Sequence, residues 1–313
     1  MARETFDNWI PVELNDRAIQ ALARASVTER LGRAEPMASD TKQVPRSGAF
    51  AIGAVAKGAA YGETAGVNDR VQMIARKIGG AIRIAEEDFL DSPVDLMATK
   101  RVDAARNMAL FFDNATLGTS AAQNGTTVLY DSVYKAVRTT DANVSYTADA
   151  NYVSGSATYT NLSNTLGKLE DSIWFDESQL FIAASPVFKS VFRNIVDNNG
   201  RPIFISQAGG SQDGPRDLLF GYPVEWTLGA RVSGTNTAAP TGNPLLVIGN
   251  RDLLIKGNAK LSPQIAGSNP GFAVQRAAQG VGFLTDEALM KAAMRRGFVV
   301  GAANAFAVFE KTS

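Results

Sequence analysis

The residues best suited to chemistry in this 313-residue chain are three consecutive carboxylates, Glu86, Glu87 and Asp88. A pair of carboxylates that faces one substrate can hydrolyse a glycosidic bond, and a carboxylate cluster can bind a hard cation. Side chains at three adjacent positions cannot all face one substrate, because neighbouring residues point in different directions. The spacing therefore favours an acidic turn, exposed to solvent or at a contact between subunits, over a catalytic site.

Other reactive groups are missing from the sequence, which contains no histidine and no cysteine. This excludes Ser-His-Asp and Cys-His sites, the common zinc sites, iron–sulfur clusters and disulfides. Gly280-Val281-Gly282 lacks the third glycine of a dinucleotide-binding motif, and no Gly-Lys-Ser/Thr follows the glycine-rich stretch 207–215. We expect no catalytic residue, no cofactor and no metal. The one enzymatic alternative left open is a carboxylate-dependent hydrolase.

The charge balance argues against binding to nucleic acid through a basic surface. Lysine and arginine total 31, as do aspartate and glutamate, so the formal net charge is zero. No apolar run approaches the about 18 residues of a membrane-spanning helix, and the first residues do not resemble a signal peptide. The composition predicts a globular protein in a cytosol-like compartment with no membrane partner.

The carboxylates lie between a predicted strand and a predicted long helix. The apolar run at 78–84 indicates a buried strand. Ser92, followed by Pro93 and by Asp95 three positions after the cap, predicts the start of a helix. Apolar residues then recur at helical spacing for about seven turns until Gly118 ends the helix. Such a helix needs a partner surface along its whole length.

The sequence before the strand predicts an arm and a projecting loop. Residues 8–32 have the apolar stripe of a helix, whereas residues 34–69 are rich in Ala, Gly, Ser and Thr. Alternation within 47–58 favours a two-stranded hairpin, but its side chains are too small to form a core of their own. We expect a loop whose strands are stabilised by lying on a neighbouring subunit. A flexible glycine-rich loop is the alternative.

The second half of the chain is predicted to alternate helices and strands. The predicted helices cover 160–173, capped by Thr160, then a segment that starts at Ser185-Pro186, and 286–296. The predicted strands cover 180–183, 245–250, 253–255, 297–300 and 305–309. The last two strands are expected to form an antiparallel pair.

Several segments, taken in order, resemble the motifs of tailed-bacteriophage major capsid proteins. Leu218-Leu219-Phe220-Gly221-Tyr222-Pro223-Val224 is similar to the family's "L-x-G-y-P-V" element. The other matching segments are 26–37, in the arm; 77–92, which leads into the long helix; 185–204; and 295–309. Because their order and spacing agree, the resemblance spans nearly the whole chain.

This resemblance implies an α+β fold of the Hong Kong ninety-seven capsid type. Such a fold has an N-terminal arm, an extended β-hairpin loop, a peripheral domain with a long spine helix, and an axial domain. The expected division is 1–45 for the arm, 46–77 for the extended loop, 78–128 for the peripheral domain, 129–246 for the axial domain, and 247–313 for a return to the peripheral domain.

The implied function is that of a major capsid protein in the virion, made in the host cytoplasm. Its copies would assemble as hexamers and pentamers into an icosahedral head that encloses double-stranded DNA without sequence-specific contacts. Separate scaffolding, portal and decoration proteins would be further partners. An encapsulin-type nanocompartment shell, which shares the fold, is an alternative, as is the carboxylate-dependent hydrolase.

The residues expected at contacts between subunits come from the loop, the acidic turn and the axial domain. They are Phe50, Ile52, Val55, Lys57, Tyr61, Glu63, Glu86, Glu87, Gly209 and Gly210. Some relatives join a loop lysine to an asparagine of another subunit through an isopeptide bond, and Lys57 has a suitable position. Residues 271–303, where the partner is expected, contain no asparagine. We therefore expect subunits that are not covalently linked.

Overall fold

The computed structural model describes residues 25–47, 52–63, 68–196, 204–207, 216–260, 271–275 and 285–312. The helices in these ranges are α1 (Val27–Leu31), α2 (Glu86–Asp91), α3 (Leu96–Leu117), α4 (Val133–Val137), α5 (Tyr159–Glu170) and α6 (Phe188–Asn194). The strands are β1 (Arg33–Met37), β2 (Thr41–Arg46), β3 (Asp69–Ile74), β4 (Arg76–Ala85), β5 (Tyr152–Gly155), β6 (Leu180–Ala184), β7 (Phe204–Gln207), β8 (Arg216–Leu219), β9 (Tyr222–Trp226), β10 (Leu245–Asn250), β11 (Leu254–Ala259), β12 (Gly271–Gln275), β13 (Glu287–Val300) and β14 (Phe306–Lys311). The predicted α+β class is confirmed.

A five-stranded sheet is organised around the 14-residue strand β13. Along one edge β13 pairs antiparallel with β4, from Glu287 opposite Ala85 to Arg296 opposite Arg76. Along its other edge it pairs antiparallel with β12 and then with β11, and β11 in turn pairs parallel with β1. The strand before the acidic residues is therefore held by a strand about 200 positions later in the chain.

A seven-stranded sheet has the order β5-β14-β10-β6-β9-β8-β7. Its central strands β6, β10 and β14 are almost entirely buried, as expected for strands covered on both faces. Helix α5 places Leu162, Leu166 and Leu169 against this sheet, which confirms the predicted apolar stripe at these positions.

One buried cluster joins the two sheets to the inner, C-terminal half of α3. It includes Phe112 of α3, Phe298 of β13 and Phe181 of β6. Phe112 and Tyr130 meet edge to face with ring centroids 6.1 Å apart, a favourable geometry for aromatic rings. The inner half of α3 is therefore fixed within the core.

The start of the long helix differs from the prediction. Helix α3 is capped by Asp95, whose carboxylate accepts a hydrogen bond from the Ala98 N–H at 2.9 Å. Ser92 instead ends α2, the separate short helix formed by the three predicted turn carboxylates and the three residues after them. Carboxylates in a first turn favour a helix start, so the helix begins there and the chain then bends at Ser92. The 22 residues of α3 make about six turns rather than seven.

The predicted helix at 286–296 is wrong, because this segment is most of strand β13. Ala288, Met290 and Ala292 are buried at alternate positions, which is the period of a strand. Pairing along both edges outweighs the helix propensity of Ala, Leu, Met and Lys. The predicted pair of 297–300 with 305–309 is also wrong, since the first segment pairs with β11 and the second lies in the other sheet.

Three further predictions need correction or fall outside the described residues. The strand at 78–84 exists as part of β4, but only Ile78 is buried and 79–83 are exposed. Thr158 rather than Thr160 caps α5, and Ile173 lies beyond its end. Most of the predicted arm helix lies outside the described residues, which contain only α1 from that region.

Candidate functional site

The projecting loop is paired at its base. Strands β2 and β3 form an antiparallel pair from Thr41 opposite Ile74 to Arg46 opposite Asp69. The described residues between them, 52–63, contain no strand, so the predicted pairing within 47–58 is not found in that part of the loop. A turn at Gly58, with φ of 84°, reverses the chain.

Arg46 fixes the base of this loop to the body of the protein. Its guanidinium donates hydrogen bonds to the carboxylates of Asp69, at 2.8 Å, and Asp141, at 2.7 Å, and to the Gly301 carbonyl at 3.1 Å. Hydrogen bonding from Arg46, assisted by Asn143, lowers the pKa of Asp69 below its usual value. The base of the loop is therefore held to the body of the protein by the charged groups of Arg46, Asp69 and Asp141.

We expect Arg46→Met to loosen the loop base without unfolding the protein. The free energy of opening the β2–β3 pair should fall enough to reduce its amide protection from hydrogen exchange about tenfold, because two carboxylates lose their shared partner. In the parent protein the pKa of Asp69 is lower in the folded state than in the unfolded state, where it is about 3.9. This difference stabilises the folded protein at pH values above about 3.9, and the stabilisation is lost as the pH falls below that value. Hydrogen exchange of the β2 and β3 amides, corrected for the intrinsic exchange rate at each pH, should show both the loss of protection in the variant and the pH dependence in the parent.

Arg83→Met is the matched control for this prediction. The Arg83–Glu287 ion pair spans 3.4 Å and the arginine side chain is 56% exposed, so its loss should barely change protection. Equal protection of β2 and β3 in the Arg46→Met variant and the parent would contradict the role assigned to Arg46.

The predicted contact residues in the described part of the loop are exposed to solvent. Ile52 is 87% and Tyr61 84% exposed, and Val55, Lys57 and Glu63 are exposed as well. Large apolar side chains left in water over such a loop are typical of a surface covered by another molecule. Phe50, Gly209 and Gly210 lie outside the described residues.

A second uncovered surface lies at the outer, N-terminal half of α3. Buried residues of this helix begin only at Met108, and Val102 is 38% exposed. In the preceding helix α2, Glu86 is half-buried and Glu87 exposed. The outer half of α3 is therefore only partly covered by its own chain, whereas the sequence predicted a partner surface along the whole helix.

The inner half of α3 carries a buried polar anchor that the sequence analysis missed. The carboxylate of Asp113 accepts hydrogen bonds from the Val27 N–H at 3.1 Å, the Thr28 N–H at 3.0 Å, and the hydroxyls of Ser26 and Thr227. Burial raises the pKa of Asp113 above its usual value, and these four donors partly offset that shift. Asp113 thus holds both α1 and the turn at Thr227 against the long helix.

Asn114 fixes a neighbouring loop in the same way. Its amide nitrogen donates to the carbonyls of Gly229 and Arg231, and its amide oxygen accepts from the Ser233 hydroxyl at 2.8 Å and the Thr237 N–H at 3.2 Å. All four bonds available to this side chain are therefore made. The sequence indicates these buried polar residues by placing the pair Asp113-Asn114 between Phe112 and Ala115, at the apolar end of an amphipathic helix.

A groove of about 760 Å³ runs between β4 and α3. Ile78, Ile82, Met108 and Phe111 contribute apolar surface to it. Its charged lining consists of Lys77, Lys100, Arg106 and Asp103. Within the described ranges, no three histidine, cysteine, aspartate or glutamate side chains form a cluster that could hold a metal.

Within the same ranges, no helix combines the length and apolar character that a membrane crossing requires. Among the described residues, the uncovered surfaces include the loop, α2, part of the outer half of α3 and the groove beside it.

Comparison with known proteins gives a consistent result. The model of the Phage capsid family matches residues 7–311. A structure from Microbacterium phage Oxtober96 superposes with a TM-score of 0.69 at 14% identity and covers 97% of both chains. One from Mycobacterium phage Ogopogo gives 0.68 at 16% identity over 100% of both chains. The capsid of an empty GTA particle, computed with C5 symmetry, gives 0.64 at 13% identity over 98% of this chain and 97% of the other. No curated protein sequence matches the chain.

Proposed function

Because the chain belongs to the phage capsid family, we propose that it is the major subunit of an icosahedral phage head and assembles with its own copies as hexamers and pentamers. The observation that carries this proposal is the contrast along α3, whose inner half is held in the core while its outer half is only partly covered. The GTA capsid with a similar fold was computed with C5 symmetry, the symmetry of a pentamer.

The described surfaces suit such an assembly. The Arg46 anchor sets the direction in which the loop leaves the body, and Ile52 and Tyr61 present apolar surface to a neighbouring copy. Burial of that surface contributes about 25 cal/mol per Å² before the costs of association are subtracted. Many such contacts per subunit stabilise a shell without any covalent bond.

The remaining expectations from the sequence complete the proposal. The head encloses double-stranded DNA without sequence-specific contacts, consistent with the zero net charge, and separate scaffolding, portal and decoration proteins act with it. The chain is made in the host cytoplasm and has no enzymatic role. The same proposal includes the division of the chain into arm, extended loop, peripheral domain and axial domain. It also includes the ten residues predicted to lie at contacts between subunits.

Electron microscopy and sedimentation of the purified protein test this function. We expect hexamers, pentamers or closed shells in the megadalton range. A stable monomer that hydrolyses glycosides would refute the proposal in favour of the carboxylate-dependent hydrolase. Closed shells that package a cargo enzyme instead of DNA would favour the encapsulin alternative. The family match favours the phage head over both alternatives.

We expect the shells to separate into single chains on denaturing gels. Lys57 is exposed at the loop turn, but no asparagine lies in residues 271–303, where the isopeptide partner is expected. Lys57→Arg, which keeps the charge and removes the primary amine, should therefore leave the gel pattern unchanged. A ladder of covalent oligomers in the parent that disappears in the variant would contradict this expectation.

A further inference from the structure

Helix α2 is an acidic tip between β4 and α3. None of its residues is buried, and Leu90 is 85% exposed. Glu87, Asp88 and Asp91 are exposed around it. The tip thus combines one large apolar side chain with three exposed carboxylates, a combination that fits an apolar surface with a basic edge.

The groove between β4 and α3 has these complementary properties. Its apolar surface includes Ile82 and Phe111, and Gly80 and Ala81 leave room beside them. Three cations and one anion, Lys77, Lys100, Arg106 and Asp103, give its lining a net charge of +2. The exposed carboxylates of the tip carry a charge of −3.

We propose that α2 of one copy docks in the β4–α3 groove of a second copy. Leu90 lies on the apolar surface, and the tip carboxylates face Lys77, Lys100 and Arg106. The tip directly follows β4 and precedes α3, so it lies at the end of its own groove and cannot fill it. This inference rests on the proposed self-assembly and names one of the contacts between its subunits.

The proposed contact joins two different surfaces of the same protein. Such a heterologous contact repeats from copy to copy and closes into a ring when the rotation allows it. Small changes in that rotation distinguish a ring of five from a ring of six. One tip-and-groove contact can therefore serve both hexamers and pentamers.

The absence of cysteine from the sequence allows a direct test by disulfide formation. Leu90→Cys and Gly80→Cys are made as separate proteins, because a disulfide in their mixture must then join two chains. A side chain fits at Gly80, since an added Cβ has no atom within 4 Å. We expect oxidation of the co-assembled mixture to give disulfide-linked dimers on non-reducing gels, above the level of either variant alone.

Ile173→Cys mixed with Gly80→Cys is the matched control. Ile173 is 88% exposed but lies outside the tip, so this pair should not form the linked dimer. Shells that form without a disulfide between positions 80 and 90 overturn the tip-and-groove contact and leave the proposed function standing. If the parent forms no oligomer at all, the proposed function fails instead.

Charge reversal provides an independent measurement if cysteine variants do not assemble. Asp91→Lys should weaken assembly about tenfold by placing like charges together, and Lys100→Glu in the same chain should restore it. Assembly of Asp91→Lys at the parent level, or a failure of Lys100→Glu to restore it, overturns the proposed contact.

Discussion

Replacing Asp113 with asparagine is expected to lower the free energy of unfolding by about 3 kcal/mol, although the two side chains have nearly the same shape. The Thr28 N–H points to one carboxylate oxygen and the Val27 N–H to the other. An amide has only one oxygen, so in either orientation its NH₂ group faces a backbone N–H that cannot accept a hydrogen bond. The variant leaves a buried donor without a partner.

The pH dependence gives this prediction a second readout. Because burial raises the pKa of Asp113 above the unfolded value of about 3.9, ionisation of the buried carboxyl lowers stability as the pH rises from that value through the folded pKa. Above the folded pKa this contribution is constant. The asparagine variant has no such group and should lack this part of the pH profile.

Urea unfolding of unassembled subunits measures both effects. Asp103→Asn is the control on the same helix, because Asp103 is only partly buried and its contact with Lys100 spans 3.9 Å. Its free energy of unfolding should stay within a few tenths of a kcal/mol of that of the parent, with a nearly unchanged urea midpoint. An Asp113→Asn midpoint equal to that of this control would show that the carboxylate does not anchor α1 and the Thr227 turn.

Gly118→Ala is expected to destabilise the protein by about 3 kcal/mol, for a reason other than backbone conformation. Gly118 has φ of −123°, which any residue can adopt. An added Cβ, however, would lie 2.2 Å from the Arg231 carbonyl oxygen. The loop that Asn114 holds against the helix would have to move away, with loss of several hydrogen bonds.

Gly167→Ala is the opposite case and the matched control. Gly167 lies inside α5 with no atom within 4 Å of an added Cβ, so alanine should stabilise the protein by up to about 1 kcal/mol through its helix propensity. Thermal unfolding of the two variants should therefore shift in opposite directions. A Gly118→Ala variant as stable as the parent would contradict the close approach of the Arg231 carbonyl.

Local patterns in the sequence were sufficient to predict helices and strands that pack directly on the core. The apolar run 180–183 corresponds to β6, which is buried on both faces, and the stripe of Leu162, Leu166 and Leu169 corresponds to α5, which packs one face on the core. Gly118 follows the end of α3 as predicted, but the lack of room for a side chain at this position depends on a loop more than 100 positions away.

The failures share a physical cause, which is pairing between distant segments. Residues 286–296 have local helix propensity, but β4 and β12 supply hydrogen bonds along both edges of an extended chain. The anchoring role of Asp113 could not be predicted from neighbouring residues, because its four donors come from residues 26–28 and 227. The contact surfaces stay a prediction for the same reason, since their partners belong to other copies.

Strand β13 also determines when the groove beside α3 is complete. Among the described strands, β13 and β14 are the last to leave the ribosome, yet β13 is the hub of one sheet and β14 lies inside the other. Met290 and Ala292 of β13 line the groove beside α3, so that groove is incomplete until β13 has been synthesised and has paired. Pairing over such long sequence separations is slow compared with helix formation. In the proposed assembly, a subunit whose β13 has not yet paired therefore has no finished groove in which the α2 tip of a second copy can dock.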